Sequence, residues 1–194
     1  MNRLTFRSSD GSEISPKEWL KIWGPLSWDE QVYRDLIEIA KHKSFLSTDV
    51  QLIGRRKDNA RTDGKWKPNV ASVAYQIWMQ AASELPRCPD ENRVADFLDD
   101  WSERKYTDEF RNGVKVQKRF GLSRATTLLH FISGGRYPIF DARVRTAVRR
   151  LLSSPVPNTI EWYLDPFYPL FWQIAATCGT EDARTLDQAL VSYG

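Results

Sequence analysis

Helix-start signals recur along this chain more often than any other local feature, and they leave little room for another fold class. In "SPKEW", Ser15 suits an N-cap, Pro16 the first helical position, and Glu18 completes a capping box three residues after the cap. "SWDEQVYRDLIEIAKHK" repeats that logic, with Ser27 and Glu30 ahead of Val32, Leu36, Ile39 and Ala40 at helical spacing. Asn69 opens "NVASVAYQIWMQAASEL", and "DENRVADFLDDWSERKY" follows. Thr107 starts "TDEFRNGVKVQKRF"; then come "SRATTLLHFIS", "DARVRTAVRRLL", "DPFYPLFWQIAATCG" from Asp165, and "TEDARTLDQALVSY" from Thr180. No convincing pair of alternating strands separates them. The expected fold class is all-α, one compact multi-helix domain over residues 1–194.

Two stretches break the pattern. Residues 53–69, "IGRRKDNARTDGKWKPN", are basic, polar and punctuated by Gly and Pro, so they read as a loop. Residues 153–166, "SSPVPNTIEWYLDP", read as a second connection. Apolar content of 41% with 12% aromatics is ample for a core and argues against global disorder. The apolar runs are too short for a transmembrane helix, and "MNRLTFRSSDGSEIS" lacks an apolar signal region, so a cytoplasmic protein without membrane contact is expected. Cys88 and Cys178 make no disulfide framework, and His42 and His130 sit near no cysteine cluster. No metal or other cofactor is expected.

Charge is distributed unevenly. Residues 111–150 carry ten Lys/Arg against Asp141 alone, residues 41–68 carry eight against three acids, and residues 84–109 hold nine acids against four bases. Such polarity suits a polyphosphate partner, and it also suits solvated helix faces with no partner.

Asp141 stands among six arginines in "GLSRATTLLHFISGGRYPIFDARVRTAVRRLL", residues 121–152. Gly121 suits the left-handed residue after one helix and Ser123 the N-cap of the next. The expected order is a helix, a tight hairpin and a second helix over about 108–133. A loop and helix bearing Asp141 follow over 134–152. Gly134-Gly135 stop the second helix, and Pro138 holds Tyr137 out of the α region.

This order resembles the helix-hairpin-helix DNA glycosylase superfamily, and the 8-oxoguanine DNA glycosylase branch in particular. "YPIFDARVRTAVRRL" is similar to the loop and helix that bear that family's catalytic aspartate, with one residue between Ile139 and Asp141. "FGLSRATTLLHF" is similar to its hairpin, with the usual Gly-x-Gly reduced to Gly121. The resemblance implies a DNA or other nucleic-acid partner and a base flipped out of its stack. It also implies a carboxylate, Asp141, that stabilises the cationic sugar as the glycosidic bond breaks. A helix N-terminus favours that negative charge. It further implies phosphate contacts from the Gly121–Ser123–Arg124 hairpin, with Lys118, Arg143, Arg145 and Arg149 as further candidates. In bifunctional members a lysine forms a Schiff base; the aligned residue here is Arg124, which stays protonated and cannot attack. Water is then the nucleophile, and the enzyme is monofunctional. A late helix of the family holds the flipped base, which makes Trp172 and Gln173 candidates for stacking and edge hydrogen bonds.

Each of these residues has a plainer reading. Capping alone explains Asp141, and a solvated face explains the arginines. His130 suits a packed helix position, Trp19 and Trp23 suit a core, and most of 165–176 has core spacing. Short proteins resembling 8-oxoguanine glycosylase also occur in bacterial antiphage defence operons. A catalytically inactive nucleobase- or nucleic-acid-binding protein of that kind, with protein partners in the defence system, is the alternative.

Overall fold

In the computed structural model, which describes residues 4–24, 30–41, 46, 48–50, 53, 67–84, 90–109 and 113–194, several helices begin where a side chain satisfies free backbone N–H groups. α1 (Pro16–Trp23) has the full capping box: Ser15 Oγ accepts from Glu18 N at 3.3 Å, and Ser15 N donates to Glu18 Oε2 at 3.1 Å. α2 (Glu30–Lys41) follows, and its expected cap, Ser27, lies outside the described residues. Most of the basic 53–69 loop lies outside them too, as do Cys88 and His42. α3 (Pro68–Glu84) starts before the expected cap Asn69, whose amide instead donates to Thr107 O at 2.7 Å. α4 (Glu91–Glu103) is capped by Asp90, which accepts from Arg93 N at 2.8 Å.

The stretch expected as helix from Thr107 is an antiparallel β-hairpin. β1 (Lys105–Glu109) pairs with β2 (Lys115–Arg119) in a register running from Lys105↔Arg119 to Glu109↔Lys115. Among the described residues the fold is therefore mostly helical with one two-stranded sheet. The first arm of the expected 108–133 helix-hairpin-helix is a β-ribbon. The physical reason is local. Tyr106 and Asp108 alternate inward with Lys105 and Glu109 outward, a period of two. Thr107, Val114 and Val116 favour extended backbone. Gly113 supplies φ +77° between the strands, and Asn112-Gly113 is the strongest short hairpin signal a sequence carries. The buried Asp108 carboxylate then accepts from Lys118 Nζ at 2.6 Å and Lys67 Nζ at 2.7 Å. Those two ammonium groups, Lys118 first, pull its pKa from 3.8 to about 2.

The chain gathers into two compact units, residues 28–137 and residues 1–27 with 138–194. In the 28–137 unit, α5 (Leu122–Ile132) packs against α2, α3 and α4, burying nearly its whole circumference from Ala125 to Phe131. In the other unit, α6 (Ala142–Leu152) buries Val144, Ala147, Val148 and Leu151 at helical spacing. A helical turn, Ile160–Trp162, capped by Thr159, lies inside the expected 153–166 connection, and the chain kinks after it at Asp165, which is extended at φ −145° and ψ 115°. α7 (Tyr168–Cys178) ends at Gly179, which takes φ +74°. α8 (Ala183–Tyr193) is capped by Asp182, two residues beyond the expected Thr180, because its carboxylate accepts from Arg184 N and Thr185 N at 3.1 Å. α8 packs on α6 and α1, and Trp19 joins Phe6 and Tyr193 edge-on in the core.

Candidate nucleic-acid interface

The segment leading to Asp141 is built by hydrogen bonds at both of its ends. Gly134 and Gly135, at φ +66° and +87°, stop α5 as expected. Tyr137 N then donates to Ser133 Oγ at 3.2 Å. His130, fully buried, donates from Nδ1 to Tyr137 O at 2.8 Å, so a neutral ring accepts at Nε2 from Tyr33 O–H at 2.9 Å. This is a packed, hydrogen-bonded histidine. In the following unit, Tyr163 O–H donates to Pro138 O at 3.0 Å. Phe140 is buried with Phe167, Tyr163 and Trp162 around it at centroid distances of 4.8, 5.6 and 5.7 Å.

Asp141 follows directly, half-buried, as the N-cap of α6. Its Oδ1 accepts from Arg143 N at 2.9 Å and Val144 N at 3.0 Å. Among the described residues Oδ2 has no hydrogen-bond partner. One oxygen thus fixes the carboxylate and the other remains to be used. The helix N-terminus beside it favours its negative charge.

The arginines of α6 differ in exposure and in partners. Arg143 and Arg149 are exposed and form no ion pair among the described residues. Arg145 is half-buried, its guanidinium 6.0 Å from the Phe140 centroid, and its buried Nε has no hydrogen-bond partner among the described residues. Arg150 is engaged: it donates to Tyr193 O and sits 5.6 Å over the Tyr193 ring.

The other candidate phosphate ligands belong to the 28–137 unit, and two are committed there. Lys118 pairs with Asp108. Arg124 donates to Phe120 O at 2.9 Å and lies 5.6 Å over the Tyr106 ring. Gly121 takes positive φ, +82°, but as the N-cap of α5 after a strand, not as the residue closing a helix. Ser123, the expected cap, lies inside α5, because the helix that buries Leu122 starts two residues earlier; Ser123 O accepts from Thr127 Oγ1 at 2.7 Å. A Cβ at Gly121 would meet nothing within 4 Å, so there is open space beside this residue.

Trp172 and Gln173 are adjacent on α7 but face different places. Trp172 packs edge-on to Phe171 at 5.3 Å and lines a depression with Gly179 and Thr180. Gln173 lines a pocket of about 350 Å³ with Trp162 and Asp165. Asp141 lines neither, so these three do not form one base pocket. Sequence reasoning missed Trp162 and Asp165 as pocket residues, because "EWYLDP" read as a connection and Asp165 as the start of the helix after it. No family model, no curated protein and no solved structure matches this chain.

Proposed function

We propose that this chain is a DNA glycosylase-like protein that binds nucleic acid and hydrolyses the N-glycosidic bond of a modified purine, with Asp141 as the assisting carboxylate. The observation that carries this reading is the split use of Asp141: Oδ1 is held by two backbone amides, while Oδ2 has no hydrogen-bond partner among the described residues. A carboxylate fixed in that way stabilises positive charge developing on a sugar without reorganising. As the base leaves with the bonding electron pair, water attacks the sugar carbon oriented by Oδ2, and its proton passes to solvent. Arg143 and Arg149, exposed on the same helix, supply phosphate contacts that position the strand without reading its sequence. No Schiff base forms, since the aligned Arg124 stays protonated and is bound to Phe120 O.

The test uses oligonucleotides, duplex and single-stranded, carrying 8-oxoguanine or other modified purines, with the protein in excess. Abasic sites that break only after alkali, with no borohydride-trapped adduct, are the expected result. An adduct, or intact bases throughout, overturns it. The second reading, a catalytically inactive binding protein of an antiphage defence operon, draws on the β-ribbon that stands where the family has its first helix. It predicts steeply salt-dependent binding with every base left in place.

A further inference from the structure

The 350 Å³ pocket has no part in the Asp141 chemistry. Its α6 lining comes from Leu152, at the C-terminal end of the helix. Asp141 caps the other end, roughly 16 Å away at about 1.5 Å per residue. The volume lies within the usual span of small-molecule sites, about 300–1,000 Å³. Leu4, Leu152 and Leu170 give it aliphatic walls, and Trp162 gives it an aromatic one. The indole is held in a fixed plane by near-parallel Phe140 and Phe167, at 21° and 20°.

Three polar residues line the pocket: Asp165 and Gln173, both exposed at its rim, and half-buried Ser154. None has a side-chain hydrogen-bond partner among the described residues. Asp165 is the one charged group among the described lining residues, and a carboxylate accepts but does not donate. Its natural partner presents two adjacent N–H donors on one edge, matching its two oxygens. A lone guanidinium does so, yet leaves most of the apolar volume empty. A fused ring fills it. Among nucleobases, guanine alone carries neighbouring donors, N1–H and N2–H₂, on one edge. Adenine and cytosine set a donor beside an acceptor there, and uracil offers one donor between two acceptors. The Gln173 amide both donates and accepts, so it can meet the remaining acceptors of the ring.

We propose that this pocket binds the guanine ring of a nucleoside, its donor edge on Asp165 and its face against Trp162. The site stands independently of the Asp141 reading. Titration calorimetry of the full chain with guanosine, adenosine, cytidine, uridine and arginine amide tests it, with Asp165→Asn and Gln173→Ala checked for folding by circular dichroism. Guanosine binds, and the other four bind at least about tenfold more weakly, the scale of one bidentate pair. Asp165→Asn lowers guanosine affinity by a similar factor and removes the preference. Equal binding of all nucleosides, no guanosine binding, tighter binding of arginine amide, or an unaffected Asp165→Asn each overturns it. Guanosine binding without base release from oligonucleotides leaves this site standing and removes the Asp141 reading; release without guanosine binding does the reverse.

Discussion

The cap that Asp141 makes can be measured separately from the catalytic role proposed for it, and one substitution separates the two. As an N-cap it contributes through Oδ1 to Arg143 N and Val144 N. Alanine forfeits both bonds, a cost of about 1 kcal/mol, whereas asparagine caps as well as aspartate. Urea unfolding is expected to show Asp141→Ala destabilised by that amount and Asp141→Asn within a few tenths of wild type. Equal losses in both would mean that the carboxylate charge, not the cap, stabilises α6. Asp108 gives a second residue-scale prediction. Lys118 and Lys67 lower its pKa from 3.8 to about 2 in the folded chain, so the folded state binds fewer protons than the unfolded one in that window. Its stabilisation is present above about pH 4 and is lost as pH falls towards about 2. The unfolding free-energy difference between wild type and Asp108→Asn should therefore shrink as pH falls from 4 to 2. A difference constant across that range contradicts the pairing.

The β-hairpin and α6 show where local sequence decides an element and where it misleads. Gly113 takes φ +77° with nothing within 4 Å of a built Cβ, so Gly113→Ala meets backbone strain but no clash. A loss of about 1 kcal/mol in thermal or urea unfolding is expected; an unchanged midpoint would mean the turn is not needed to hold the strands in register. Helix starts were legible because a cap is a short-range device: Ser15, Asp90 and Asp141 cap α1, α4 and α6 through side-chain oxygens. The hairpin was hidden because "TDEF" also imitates a helix start, and the period-two burial of Tyr106 and Asp108 emerges only once α3 packs on β1. On α6, Arg143 and Arg149 are exposed and make neither an ion pair nor a side-chain hydrogen bond among the described residues. Replacing each with alanine should weaken nucleic-acid binding uniformly across sequences and reduce the slope of log K against log salt by about one. A slope unchanged in the double variant places the phosphate contacts elsewhere.

For the molecule as a whole, the charge polarity of the sequence overstates what the folded chain presents. Several bases of the 111–150 stretch are spent within their own unit: Lys118 on Asp108, Arg119 on Glu103 at 2.8 Å, Arg124 on Phe120 O, Arg150 on Tyr193 O. Charge counted along a chain cannot reveal such pairing, since Lys67 and Asp108 meet across 41 residues. The same limit applied to the candidate site. Asp141, its cap and the exposed arginines of α6 were legible because one helix carries them. The Trp162–Asp165–Gln173 pocket was not, because three segments assemble it. The most direct measurement is base release from modified-purine oligonucleotides by wild type and Asp141→Asn side by side, at a temperature where both are folded. Release by wild type, and at least about a hundredfold less by the equally stable Asn variant, is the predicted result. Equal release by the two proteins, or none by either, would contradict a catalytic Asp141 and leave it the cap of a helix.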